Sequence, residues 1–337
     1  MKMEKLDAIN FGQSKREKLL DYKVYSYNFD DNIETFEMVS EDISQPSEVL
    51  SSIPISNLME ATRERAWQVA DHLQNCYSAG HDLSPLRANF PSYVEYWEDY
   101  AKYSEQFKNS PDAAYVTVGH VALAGDDYHY ALVMVSFGIL LGWQSLLHRL
   151  VPILDFRNDR DGLLEHLIDE VADNRGPKPD ECLRHLPYFK TLKIIKADPK
   201  NRPAMMAEYL EDWYLASRRE PYFDSHKRKT SFKGYWSWEA AAITVLLDID
   251  DSIFREAQFY PRDLVDFARQ AVKDYAPIGT PPIKLGELRS KAGDQCPKAG
   301  QWQSLDVSSQ IKYFELGQLM ENLDSAYGLT VWKFVEQ

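Results

Sequence analysis

Sulfur chemistry is scarce in this chain: its three cysteines, Cys76, Cys182 and Cys296, lie about a hundred residues apart and form no CxxC pair. That is ordinary usage for a reducing cytosol, the expected location. Positive charge is also short. Lys and Arg number 38 against 52 Asp and Glu, for a net charge of −14 and a pI near 5.1. A non-specific nucleic-acid binder needs surplus cations to displace counterions from phosphates, so that class is excluded. Long apolar runs are missing. The longest, Ala131 to Trp143, has thirteen residues and is soon followed by His148 and Arg149, whereas a bilayer span needs about 20. No membrane partner is expected, and the first ten residues carry charges with no apolar run behind them, so no secretory signal is expected. There is no glycine-rich phosphate loop of Walker or dinucleotide type and no GxSxG nucleophile elbow.

The chain does have material for a core: 44% hydrophobic and 13% aromatic residues. Its length exceeds the roughly 250–300 residues at which one core stops growing, so two packed units or one unit with an appendage are expected. Residues 1–55 are polar and acidic, and Lys23, Tyr25, Tyr27 and Phe29 alternate with Val24, Ser26 and Asn28, which predicts an extended arm or edge strand. Helical spacing begins at Asn57, whose capping-box partner is Glu60, and runs to a stop at Gly80. Further helices are expected from Ser84-Pro85 with Phe90, Val94, Trp97 and Ala101 inward, then at 112–124, 127–150, 161–172, 187–196, 203–218 and 236–247, and from Pro261 to about Tyr275. Three prolines and a glycine in 276–283 read as a linker, and the short runs 301–305, 311–316 and 329–335 as a three-stranded sheet docked on the helices. The expected fold is therefore mainly α, a bundle of roughly eight to ten helices with a small C-terminal β appendage. Its units would be an arm at 1–55, helical domains at 56–175 and 176–275, a linker at 276–292 and the appendage at 293–337.

Few residues suggest chemistry. His81-Asp82 is the one pair that would suit a metal-dependent hydrolase, yet His72 and His120 do not fall into ligand spacing around it, and no pair among the eight histidines suggests zinc. No cofactor, metal or catalytic residue is therefore expected, with the hydrolase as the alternative. Glu239 shares a helix stripe with Trp236, Ile243 and Leu246. It reads either as a general acid–base or, preferably, as a buried ion-pair partner of Arg218 or Arg219. The basic run His226-Lys-Arg-Lys229, with Lys233, reads as a solvated loop, with partner binding as the other possibility. Between Ser110 and Ala172 nine acids face three arginines. Of these, Asp126, Asp127, Asp155, Asp159, Asp161, Glu165, Asp169 and Glu170 are the candidate docking face for a basic partner, with a solubility surface as the alternative.

Specific motifs follow. Gly234-Tyr-Trp-Ser-Trp-Glu-Ala-Ala-Ala242, the turn Asp250-Asp251 and Tyr260-Pro-Arg-Asp-Leu264 resemble the C-terminal domain of the PoNi immunity family. Tyr209-Leu-Glu-Asp-Trp-Tyr214 is similar to a Tyr-Leu-x-x-Trp-Tyr helix of the same family, and Tyr77-Ser-Ala-Gly-His-Asp-Leu83 to the turn of its N-terminal domain. The resemblance covers residues 60–275 and not 1–55; the tail, with Trp302 and Trp332, is similar to an appendage of type VI immunity proteins. It implies an immunity protein of an interbacterial, chiefly type VI secretion, system: a non-enzyme that binds and inactivates a cognate toxin, typically a nuclease of DNase type. It also implies structural roles for Tyr209, Trp213, Tyr214, Gly234, Tyr235, Trp236, Glu239, Asp250, Asp251, Tyr260 and Pro261. Physically, an acidic surface could occlude a nuclease's cationic cleft. A toxin-loading adaptor or chaperone is the remaining alternative.

Overall fold

The computed structural model describes residues 3–114, 121–123, 125, 127–157, 159–172, 175–228, 231–274, 289–304, 310–323 and 330–335. Among them twelve helices run in chain order: α1 (Ala8–Ser14), α2 (Tyr22–Ile43), α3 (Ser47–Leu50), α4 (Ile55–Ala79), α5 (Leu83–Lys108), α6 (Asp127–Leu140), α7 (Leu147–Leu154), α8 (Gly162–Leu167), α9 (Phe189–Lys196), α10 (Arg202–Ala216), α11 (Trp238–Leu246) and α12 (Arg262–Asp274). Four strands follow: β1 (Arg289–Lys291), β2 (Gly300–Ser304), β3 (Ile311–Phe314) and β4 (Val331–Val335).

The expected arm at 1–55 is helical instead. Asp21 caps α2, its carboxylate accepting from the Lys23 amide at 2.8 Å. The buried row Tyr25, Phe29, Asn32, Phe36 and Val39 steps by four, three, four and three, the period of a helix. Two members of the buried face, Asn28 and Asn32, are polar, and they broke the apolar stripe that would have announced the helix. That face packs on α4, which also carries α5 on another side.

The 127–150 helix is also divided. α6 ends at Leu140 because Gly142 adopts φ +72°, and a 3-10 turn over Gln144–Leu146 leads into α7. A Cβ at Gly142 would meet the Ala271 methyl at 3.0 Å, so the turn is pressed against α12. Within the expected helix 112–124, Pro111–Ala114 forms a 3-10 turn, and residues 115–120 and 124 lie outside the described residues. α4 begins at Ile55 with no side-chain cap, so Asn57 and Glu60 form no capping box, but it stops at Gly80 as expected. The remaining helices fall close to their predicted ranges.

α6 is the hub. Every residue in it but Tyr130 is buried, and it packs against α4, α7, α11 and α12. One apolar cluster runs from Met3 to Ala268 through all of these helices, so Met3, Phe11, Leu20, Tyr25, Phe29 and Phe36 of the expected arm share the core of the body. A strap after α1 stitches the body together. Arg16 donates through Nη1 to the carbonyls of Tyr77 and His81 at 2.9 and 3.0 Å, and through Nε to Asp263 at 2.7 Å, while its guanidinium lies over the Tyr77 ring.

The appendage has four strands, not three, in the antiparallel order β1-β4-β2-β3. β1 falls inside the expected linker, most of which lies outside the described residues. The sheet has its own small core of Cys296, Trp302, Phe314, Met320 and Trp332, separate from the helical cluster.

Candidate partner-binding surface

The acids singled out between 110 and 172 do not form one face. Asp127 is buried in the first turn of α6 and accepts from Trp67 Nε1 at 2.7 Å, the Ala122 amide at 2.8 Å and the Tyr100 hydroxyl at 3.4 Å. Burial pushes its pKa up against those donors. Asp161 is the buried N-cap of α8, receiving the Leu164 amide at 2.9 Å and the Leu183 amide at 2.6 Å; burial raises it to about 6. Asp155 and Glu165 are also buried, and Arg175 sits between them. Arg175 donates both terminal nitrogens to Asp155 at 2.6 Å and holds Glu165 at 2.6 and 3.0 Å. Arg160 forms a second fork onto Glu165 at 3.1 and 2.8 Å. Burial alone would raise the Glu165 pKa, but the Arg175 and Arg160 forks overcome it and hold it down at about 2. Asp159 is half-buried, Asp169 and Glu170 are exposed, and Asp169 pairs with Lys178 at 2.6 Å. Asp126 lies outside the described residues. Four of the eight acids are thus interior ties and unavailable to a partner as the chain stands; the sequence listed them together because it shows charge but not the arginines folded back onto it.

The family-motif residues build a second set of interior bonds. Glu239 is fully buried, and its Oε1 accepts from the Tyr209 hydroxyl at 2.6 Å, Ser237 Oγ at 2.7 Å and Trp213 Nε1 at 2.8 Å. Burial raises its pKa. The preferred ion pair is not present: Arg218 and Arg219 lie exposed beyond the end of α10, whereas Glu239 faces that helix's inner stripe. Tyr214 donates to Asp224 at 2.8 Å and stacks on Phe259. Gly234 has φ +103°, and a Cβ there would fall 2.2 Å from Ser78 Oγ; that same hydroxyl accepts from Trp236 Nε1 at 2.9 Å. The Tyr235 amide donates to Glu17 at 3.1 Å. Asp250 is exposed and receives the Ser252 amide at 3.0 Å. Asp251 is buried and receives Tyr260 at 3.1 Å, Arg255 at 3.1 Å and Arg269 at 2.9 Å, while Pro261 precedes α12. These contacts hold the body together.

Among the described residues the His81–Asp82 pair gathers no further ligands, and His120 lies outside them. His81 is buried, bonded through Nε2 to the Tyr25 hydroxyl at 2.8 Å and stacked on Phe29; burial and the nearby Arg16 lower its pKa to about 4. Asp82 is exposed at the start of α5. Among the described residues no three His, Cys, Asp or Glu side chains converge as a metal site would require, and no described helix is long and apolar enough to cross a membrane.

Carboxylates do gather on the outer side of α2, where Asp30, Asp31, Glu34, Glu37, Glu41 and Asp42 are exposed. The signal was available in the sequence. Between Lys23 and Arg63 there are eight acids and no Lys or Arg. Reading 1–55 as an arm hid that they share one helix.

Two family models match the chain: the N-terminal domain of PoNe immunity proteins (PoNi) over residues 16–151 and the C-terminal domain over residues 159–264. The chain belongs to the PoNi family of PoNe immunity proteins. The match begins at residue 16, so α2, expected to depart from the family, lies inside it. A crystal structure of protein PA2201 from Pseudomonas aeruginosa shares the fold at TM-score 0.63 and 22% identity, over 77% of this chain and 92% of that one. No match was found among curated proteins.

Proposed function

We propose that this PoNi protein binds a cognate toxin stoichiometrically and neutralises it, that the toxin is a DNase-type effector of a type VI secretion system, and that carboxylates cover its cationic substrate cleft. The observation that carries the reading is the pair of immunity-domain matches at 16–151 and 159–264. The charge supports it. A nuclease must present cations to a phosphate backbone, and a protein of net charge −14 with an exposed acidic helix offers them a competing surface. Complementary charge would speed capture, toward about 10⁸–10⁹ M⁻¹s⁻¹ in steered encounters, and would weaken with salt. The protein acts by occupancy, with no bond made or broken.

Co-expression with the product of the neighbouring gene tests the reading. Growth restored to cells carrying the toxin, together with co-purification of the two chains, is the expected outcome. A toxic neighbour that co-purifies without relief of toxicity would favour the adaptor instead. A neighbour that is harmless, or toxic and untouched, would overturn the immunity reading.

A further inference from the structure

On α2, Tyr27, Asp31, Glu34, Met38 and Glu41 recur at steps of four, three, four and three, so they stand in one row opposite the buried face, with Asp31 at its edge also accepting from Gln68 of α4 at 3.3 Å. All five are exposed, and the two apolar members are left largely in water, Tyr27 at 56% and Met38 at 52%. Beside the row a groove runs between α2 and the segment Met3–Lys5, with Phe29, Ile33 and Met38 among its walls and carboxylates along its edge. Among the described residues the groove's one lining cation, Lys5, is paired with Asp30 at 2.6 Å.

Two features define what this face can accept. Exposed apolar side chains set within a polar rim are the make-up of an interface, the apolar groups contributing burial and the charges orientation. From Asp31 to Glu41 the charges of the row are all negative, and Lys5 at the groove is already held by Asp30. A second copy of the chain would set carboxylates against carboxylates, which costs association free energy, so the occupant has to be cationic.

We propose that the outer face of α2 and its groove are the docking surface for the cognate toxin. The occupant is a Lys- and Arg-rich segment of that toxin, with an apolar side chain seated against Met38 and Ile33. The inference rests on the immunity reading above and goes beyond it by moving the contact face from residues 126–170 to residues 27–42. The buried acids at Asp127, Asp155, Asp161 and Glu165 then keep the body folded, and the exposed acids of α2 meet the partner.

The test is a binding titration of the full chain against the product of the neighbouring gene, at low and at physiological salt. Three proteins are compared with the parent: Asp31→Lys/Glu34→Lys/Glu41→Lys, Met38→Ala, and Asp169→Lys/Glu170→Lys as a surface control. Lysine keeps the helix propensity of α2, and circular dichroism melts verify the fold. The triple reversal is expected to weaken binding about 100-fold, mostly through slower association at low salt, and Met38→Ala about tenfold through faster dissociation. The control is expected to bind as the parent does. A parent that binds while the triple reversal and Met38→Ala stay within twofold of it overturns the α2 surface and leaves the immunity reading standing. A parent that does not bind overturns both. If the triple variant fails to fold, Met38→Ala, which shortens a half-exposed side chain, decides the question. Sedimentation showing a dimer of the chain that the triple reversal dissolves also overturns the proposal, by giving the face to a second copy.

Discussion

Arg175→Met separates structural acids from contact acids. Among the described residues Arg175 is the sole arginine bonded to Asp155, and it shares Glu165 with Arg160; the side chains of Asp155, Arg175 and Glu165 are 7%, 10% and 5% exposed. Removing it strands one buried carboxylate completely and halves the pairing of a second. Breaking a buried pair in this way costs about 3–5 kcal/mol, and the depression of the Glu165 pKa by Arg175 and Arg160 together is of the same order. That fall from 4.5 to about 2 is worth about 3 kcal/mol at neutral pH, at about 1.36 kcal/mol per pH unit. The sign follows from the direction. A carboxyl held below its unfolded value stabilises fully above pH 4.5, and the contribution is lost as pH falls from there toward 2. Urea denaturation at pH 7 should show the loss, and a thermal melt should drop by on the order of 10 °C. Acid unfolding of the variant should begin at higher pH than in the parent. Adding Asp155→Leu to Arg175→Met should recover part of the loss, because no carboxylate then remains stranded. A cost under about 1 kcal/mol for Arg175→Met, well below the usual range for a buried pair, would refute the reasoning and return Asp155 and Glu165 to the surface.

Glu239→Gln keeps an acceptor for Tyr209, Trp213 and Ser237 and should change stability little, whereas Glu239→Leu strands three donors and should cost about 3 kcal/mol or more by urea denaturation. Because burial raises the Glu239 pKa, the parent should lose stability from this group as pH rises above 4.5, and Glu239→Gln should lack that slope. Gly234→Ala forces a Cβ into Ser78 Oγ at a left-handed φ and should cost on the order of 2 kcal/mol in a thermal melt. Arg16→Ala removes two carbonyl bonds and the Asp263 pair, and hydrogen exchange should report faster opening of the strap around residues 15–20. Asp127→Lys should unfold the chain rather than weaken a contact, visible as loss of near-ultraviolet dichroism.

Much of the helical body was legible because its signals are local. Gly80 ended α4, the stripe Met205, Met206, Tyr209, Leu210, Trp213 and Tyr214 marked α10, and Pro261 preceded α12. What was missed depended on neighbours. Asn28 and Asn32 sit on the buried side of α2 beside α4 and Phe232, so the helix lacked a clean apolar stripe. Gly142 broke α6 from α7 at a turn pressed on Ala271, which single-chain periodicity does not register. β1 is three residues long and is defined by its pairing with β4, Ser290 opposite Trp332. At the candidate surface the same limit applied. Asp155, Glu165 and Arg175 are ten or twenty residues apart, and only folding shows that their charges cancel in the interior, while the base-free run from Lys23 to Arg63 becomes one acidic face.

The central claim is neutralisation by occupancy, and a titration of the toxin's own activity tests it most directly. With the toxin fixed well above the dissociation constant, DNA cleavage should fall in a straight line as chain is added and vanish at one equivalent. Cleavage that persists at several equivalents, or that disappears at a small fraction of one, would contradict the account: the first denies neutralisation, and the second would mean that the protein turns over.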